Sequence, residues 1–223
     1  RDLHYPLRRQ RQMCIRDSSV IDALGNIGSR NTIQSLIDLL REANPMLAEP
    51  ACRAILKIGE RNKINVFNDY ADVLLTPVLE SIAGESNAEY SDLLAFQINL
   101  NPSRAVLKSL FSKSEHIPSA LLVTMINQVK GEASLLKEIQ LATENPDDWV
   151  SYTAIEALSD FSPDEAAPIL LQLLDKERET TVIAAIKTSV KMKLDAAKPK
   201  LESLSKADSE DIKALATDAL KLM

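Results

Sequence analysis

The chain has 223 residues, of which 26% are charged and only 4% are aromatic, and its formal net charge is −6. No uninterrupted apolar stretch approaches the roughly 18 to 20 residues that span a bilayer, so we expect no membrane span. Glycine is scarce, whereas Ala, Leu, Ile, Lys and Glu are abundant, and this composition favours helix over strand throughout.

The first 17 residues do not resemble a natural protein sequence. The run from Arg8 to Asp17 is similar, residue for residue, to the translation of a sequencing-library adapter, and residues 1–4 are similar to the primer upstream of it. Segments of this kind are excluded from fold reasoning. We therefore expect the natural sequence to begin at about Ser18, as a metagenomic fragment truncated at its N-terminus, and we do not interpret the basic run as a targeting signal.

The remaining sequence excludes several classes of protein. Residues 1–17 hold five of the 26 basic and two of the 32 acidic residues, which leaves 21 and 30 and a formal charge of −9. An acidic chain is repelled by phosphate backbones, so no nucleic-acid partner is expected. Only Cys52 and His116 remain of their residue types, too few for a disulfide or a typical metal site. We expect no metal, no cofactor and a cytoplasmic location.

The strongest pattern is self-similarity at a spacing of 31 residues. Residues 23–31 (ALGNIGSRN) recur as residues 54–62 (AILKIGERN). Near the end of the chain, a second set recurs 31 positions later: Asp164, Ala166, Pro168, Leu170 and Leu173, as Asp195, Ala197, Pro199, Leu201 and Leu204. A fixed period in this range predicts stacked copies of one supersecondary unit that cannot bury its apolar face alone.

Apolar residues recur at helical spacing between turn signals, and this predicts thirteen helices in chain order. Their expected ranges are 19–27, 31–42, 46–58, 65–83 with a break or kink at Pro77, 87–99, 102–112, 117–129, 132–143, 147–160, 163–175, 178–193, 195–206 and 209–222.

Two further features of these helices can be predicted. Gly28 and Gly59 follow apolar helices in phase, so we expect both to adopt the left-handed conformation that ends a helix. Ala54 and Ala154 are 100 residues apart, which is not a multiple of 31. We therefore expect an extra or lengthened element between residues 61 and 101.

The alternation of Ala-rich first helices and Leu-rich second helices resembles the HEAT-repeat family, and in particular its short bacterial form related to phycobilin-lyase repeats. The residues that carry the resemblance are 20–28 (VIDALGNIG), 32–40 (TIQSLIDLL) and a third stretch from Asp148 to Leu174. The resemblance implies an all-α superhelix of antiparallel helix pairs, with residues 18–223 as one armadillo-like repeat domain and the second helices on its concave face. Small residues are expected where successive layers approach: Ala54, Ala154, Ala185 and Ala216.

Two groups of residues are candidates for binding a partner. Trp149 and Tyr152 are either an aromatic anchor for a partner or a cover over the seam between repeats. A basic concentration follows in the otherwise acidic chain, with Lys187 and Lys191 on one helical face and with Lys198 and Lys200 at the start of the next helix. It is either a patch for an acidic partner or a solvated face.

The remaining chemical candidates have plain structural explanations. Asp147 and Asp148 could hold a metal or act as a base, but acidic residues also favour the first turn of any helix. His116 has no carboxylate or serine partner in the sequence pattern, and Cys52 lies on an Ala-rich face that predicts a buried small residue. No catalytic residue is therefore assigned.

Three functions are compatible with this sequence. The first is a noncatalytic scaffold or adaptor that presents a concave helical groove to a protein or peptide. The second, implied by the resemblance, is an enzyme-associated or lyase-like subunit that acts on a chromophore-bearing protein. The third is a regulatory repeat domain of a larger protein. A helical-repeat nucleic-acid enzyme would need a basic groove with interleaved aromatics, and the charge argues against it.

Overall fold

A computed structural model of the chain describes residues 17–41, 45–83 and 87–223. The predicted adapter-derived segment lies outside these residues except for Asp17. The described part contains helices and no strand, and none of its helices combines the length and apolarity needed to cross a membrane. The predicted all-α class is confirmed.

The chain divides into two compact units, one ending at Pro118 and the other beginning at Ser119. The prediction of a single repeat domain over residues 18–223 is not tested by this division and stays a prediction. The N-terminal unit contains α1 (17–27), α2 (Arg30–Arg41), α3 (Pro45–Asn62), α4 (Phe67–Ala83), α5 (Asn87–Asn99) and α6 (Arg104–Phe111).

In the N-terminal unit, α3 packs against α2, α4 and α5. A buried glutamine connects α5 to the link between α3 and α4. The Gln97 side chain accepts a hydrogen bond from the Val66 amide at 2.8 Å and donates one to the Ile64 carbonyl at 3.2 Å. Because a buried amide without partners would be strongly destabilising, Gln97 defines how α5 meets this link. The link lies in the region where the 31-residue register is lost.

The C-terminal unit contains α7 (Ser119–Gln128), α8 (Leu136–Ala142), α9 (Asp148–Ala157), α10 (Pro163–Leu173), α11 (Glu179–Lys191), α12 (Lys198–Leu204) and α13 (Glu210–Leu222). Its odd-numbered helices pack in sequence, α7 on α9, α9 on α11 and α11 on α13. We call them the first layer. The even-numbered helices α8, α10 and α12 form the second layer, and each packs on a first-layer neighbour. The predicted stack of helix pairs is therefore confirmed here.

The small residues predicted at the layer contacts are buried. Ala54, Ala154, Ala185 and Ala216 are each at most 1% exposed. The last three lie 31 residues apart on α9, α11 and α13, where a methyl side chain lets neighbouring helices approach. The repeat spacing therefore corresponds to a repeated packing position.

The predicted kink at Pro77 is wrong. Helix α4 leaves helical geometry at Tyr70, with φ −135° and ψ 27°, and continues through Pro77. A proline inside a helix removes one backbone hydrogen bond but has a φ that suits the helix. The non-helical torsions at Tyr70 are therefore where the bend lies.

The predicted left-handed conformation of Gly28 and Gly59 is also wrong. Neither glycine has a positive φ, and Gly59 lies within α3. A Cβ on Gly59 would lie 2.8 Å from Cγ1 of Val66, and one on Gly28 would lie 2.5 Å from the Leu24 carbonyl oxygen. Close approach, not backbone torsion, therefore explains the two glycines. The described residues with positive φ are Lys63, Asn101, Gly131 and Lys193.

Candidate partner-binding site

Helix α9 begins at a well-defined cap. Asp147 accepts hydrogen bonds from the backbone amides of Trp149, at 2.8 Å, and Val150, at 3.3 Å. Its other carboxylate oxygen accepts one from the Ser119 hydroxyl at 2.6 Å. The Ser119 hydrogen bond, with the two backbone amides, lowers the pKa of Asp147 below its ordinary value. Asp147 is therefore an N-cap, and it positions the first turn of α9.

The neighbouring Asp148 connects two repeats. Thr180 donates to its carboxylate at 2.8 Å, and the Arg178 guanidinium pairs with the same oxygen. These contacts, the Thr180 hydrogen bond first, lower the pKa of Asp148. Among the described residues, no group of three or more His, Cys, Asp or Glu side chains could hold a metal ion. The aspartate pair is engaged in local structure.

The outer side of α9 presents two aromatic rings. The Trp149 side chain is 56% exposed and that of Tyr152 is 40% exposed. They lie three residues apart on a helix and therefore share a face. Trp149 is also the chain's single tryptophan. A ring that covered the seam between repeats would be largely buried, so the geometry favours an exposed pair over a seam cover.

Lysines from the neighbouring helix border the aromatic pair. The ammonium of Lys187 on α11 lies 5.9 Å from the centre of the Tyr152 ring, at the outer limit of the roughly 6 Å range of a cation–π contact. Lys191 follows one helical turn later and is exposed. We call Trp149, Tyr152, Lys187 and Lys191 the aromatic–lysine face. It lies on the outer side of the first layer.

The other two predicted lysines lie elsewhere. Lys198 and Lys200 belong to α12, in the second layer, so the structure does not bring them to the aromatic–lysine face. Lys198 pairs with Asp195 at 2.8 Å. Lys200 pairs with Asp175 and also donates to the Leu171 carbonyl, at 2.8 Å. Both ammonium groups are engaged by acceptors of their own chain.

The remaining candidates lie in the N-terminal unit. Cys52 is buried, and burial, together with the nearby Glu49 charge, raises the pKa of its thiol to about 12. At neutral pH it is a protonated core residue. His116 pairs with its neighbour Glu115 at 3.3 Å. It lines an open cleft of about 470 Å³ with Lys113, whose ammonium donates to Thr76.

Sequence reasoning placed Lys187 in a basic patch but missed its contact with Tyr152. The repeat period could have indicated this contact. Lys187 follows Tyr152 by 35 residues, one repeat of 31 plus one helical turn of four. In stacked parallel helices, a residue at that separation lies on the neighbouring helix, one turn beyond the level of the first residue, where a long side chain can reach it.

The stacked helix pairs define a helical-repeat protein. Residues 136–221 match the family model described as HEAT repeats, and the resemblance found in the sequence is confirmed for this segment. It covers α8 to α13, including the aromatic–lysine face. No curated protein matches the chain.

Solved structures similar to the chain include designed armadillo repeat proteins. One has 19% identity, with 92% of each chain covered and a TM-score of 0.30. A second, determined with the peptide (KR)4, has 19% identity, covers 99% of this chain and 95% of its own, and has a TM-score of 0.31. A third, computationally designed for modular peptide recognition, has 18% identity, 92% coverage of each chain and a TM-score of 0.32.

Proposed function

We propose that this chain is a noncatalytic interaction scaffold that binds a protein or peptide partner through the aromatic–lysine face. The observation that carries the proposal is the exposure of Trp149 and Tyr152 side by side on α9. Tryptophan and tyrosine, with arginine, are the residue types enriched among binding hot spots. Their exposure on one helical face supports a recognition surface.

The surroundings of the two rings also support binding. Helix α9 is held between α7 and α11, and its first turn is tied to α7 through Ser119 and to α11 through Asp148. A rigid platform reduces the conformational entropy that is lost when a partner binds. The aromatic pair is therefore presented in a preorganised form.

Peptide display on the purified chain tests this proposal. Peptides selected from a random library would be measured against wild type and against the double variant Trp149→Ala, Tyr152→Ala. Because truncation of a hot-spot residue costs 2 kcal/mol or more, we expect at least a roughly 30-fold loss of affinity. A matched variant, Leu141→Ala, removes another exposed apolar side chain, 62% accessible, from second-layer helix α8 and should bind like wild type.

Equal binding by the aromatic variant and wild type would contradict the proposal, provided that circular dichroism shows the variant to be folded. The concave groove predicted from the sequence is not used by this proposal and stays a prediction, as do the lyase-like alternative implied by the resemblance, the regulatory alternative and the cytoplasmic location.

A further inference from the structure

The two lysines of the aromatic–lysine face differ from many others in the C-terminal unit. Among the described residues, neither Lys187 nor Lys191 has a carboxylate at ion-pair distance, and the Lys187 ammonium lies over the Tyr152 ring. Several other lysines of the same unit are paired with acids: Lys176, Lys198, Lys200, Lys213 and Lys221. Two positive charges therefore remain available beside the rings, in a chain whose net charge is negative.

We propose that the partner is an acidic peptide segment, in which an apolar side chain contacts Trp149 and Tyr152 and two carboxylates pair with Lys187 and Lys191. This inference rests on the proposed function and specifies the chemistry of the partner. It follows from charge complementarity, which determines the choice of partner and the rate of association more than the total affinity.

The spacing of the charges indicates the form of the peptide. Lys187 and Lys191 are four residues apart on α11, about 6 Å along the helix axis. In an extended peptide, side chains two residues apart lie on the same side and about 6.6 Å apart. Carboxylates at alternate positions of an extended segment therefore match the two lysines.

The order of the contacts follows from the parallel course of α9 and α11. The repeat spacing places Tyr152 level with Ile183, which is half-buried, and the two lysines lie toward the C-terminal end of α11. Glu156 is exposed one turn beyond Tyr152 on α9 and, by the same spacing, level with Lys187, so its negative charge would repel peptide carboxylates from the α9 side of the face. The predicted pattern is an apolar residue followed, at alternate positions, by two acids, or the same pattern in reverse.

The single tryptophan provides a direct test, because Trp149 fluorescence reports on this face. The probes are the peptide Ser-Phe-Ser-Glu-Ser-Glu-Ser, its reverse, a version with lysine in place of glutamate, and one with alanine in place of phenylalanine. We expect one acidic orientation to change Trp149 emission in a saturable way. The lysine and alanine versions should each bind at least about tenfold more weakly, and added salt should weaken binding of the acidic peptide.

Variants assign the charge contribution to the two lysines. The double variant Lys187→Ala, Lys191→Ala should lose about tenfold in affinity for the acidic peptide. The double variant Lys137→Ala, Lys206→Ala makes the same charge change at exposed positions on α8 and after α12 and should bind like wild type. Lys187→Glu with Lys191→Glu should instead prefer the lysine peptide, a gain that a misfolded protein could not show.

Equal affinity of wild type for the acidic and lysine peptides would overturn the inference, as would equal losses in the two alanine double variants. If library peptides need Trp149 and Tyr152 but show no preference for acids, the scaffold function stands and the acidic partner is wrong. If no peptide depends on the aromatic pair, both proposals fail.

Discussion

Arg178 stabilises the contact between two successive repeats of the C-terminal unit. Arg178 immediately precedes α11. Its guanidinium donates hydrogen bonds to the carbonyls of Asn145, at 2.7 Å, and Pro146, at 2.8 Å. It also pairs with the Asp148 carboxylate. One side chain therefore ties the start of α11 to the segment that begins α9. We expect Arg178→Ala to loosen this connection and to lower the free energy of unfolding.

The size of the loss can be worked out from these contacts. A hydrogen bond contributes a net 0.5 to 1.5 kcal/mol, and more when one partner is charged. Three such bonds would give about 1.5 to 4.5 kcal/mol, but the Arg178 side chain is 35% exposed and water competes for it. We therefore expect Arg178→Ala to cost about 2 kcal/mol. Lysine cannot make the forked contacts of a guanidinium, so Arg178→Lys should still lose about 1 kcal/mol.

Urea denaturation followed by circular dichroism and by Trp149 fluorescence measures these losses. The control is Lys221→Ala, which removes a side chain that is 69% exposed and paired with Asp218 within the last helix. It should change the free energy of unfolding by less than about 0.5 kcal/mol. If Arg178→Lys were as stable as wild type, charge alone would explain the connection and the hydrogen-bond reasoning would be refuted.

Three further predictions test packing, pH dependence and thiol reactivity. Gly25→Ala should lower the melting temperature despite the better helix propensity of alanine. The new Cβ would lie 2.9 Å from the Ala54 Cα, and overpacking of this kind costs about 1 to 3 kcal/mol. An unchanged or higher melting temperature would contradict this prediction. The pKa of Asp147 is lowered below its ordinary 3.8, and the Ser119 hydrogen bond is the largest cause. Its ionised form therefore contributes stability above pH 3.8, and this contribution is lost as the pH falls through the folded-state pKa. Asp147→Asn keeps a good cap but should be less stable than wild type at pH 7, with the difference in melting temperature disappearing in acid; a difference that does not depend on pH would refute the linkage. Burial, with the Glu49 charge, raises the pKa of Cys52 to about 12, so mass spectrometry should find its peptide unalkylated after treatment of the native chain at pH 8 and alkylated after unfolding.

The helical architecture could be predicted because the repeat imposes one local pattern many times. Thirteen expected helices correspond to thirteen helices in the described part of the chain, with ends that differ by a few residues. The expectations for Pro77 and the glycines were wrong because both rested on local residue preferences. The bend in α4 lies at Tyr70, seven residues before Pro77, and close approach to Val66 accounts for the position of Gly59.

The candidate site was harder to predict, because neighbours along the chain are not neighbours on the surface. Lys191, Lys198 and Lys200 lie within ten residues of one another, yet a layer change separates the first from the other two. Lys200 then reaches Asp175 across a separation of 25 residues, which is not a repeat length and has no periodic indication in the sequence.

By contrast, the proximity of Tyr152 and Lys187 follows from one repeat plus one turn. In a stacked repeat protein, surface neighbours within a layer can therefore be derived from the period, whereas ion pairs between a loop and the second layer require the three-dimensional structure. The sequence left the role of Trp149 and Tyr152 open, and the lysines that pair with acids can be distinguished from Lys187 and Lys191 only in the folded structure.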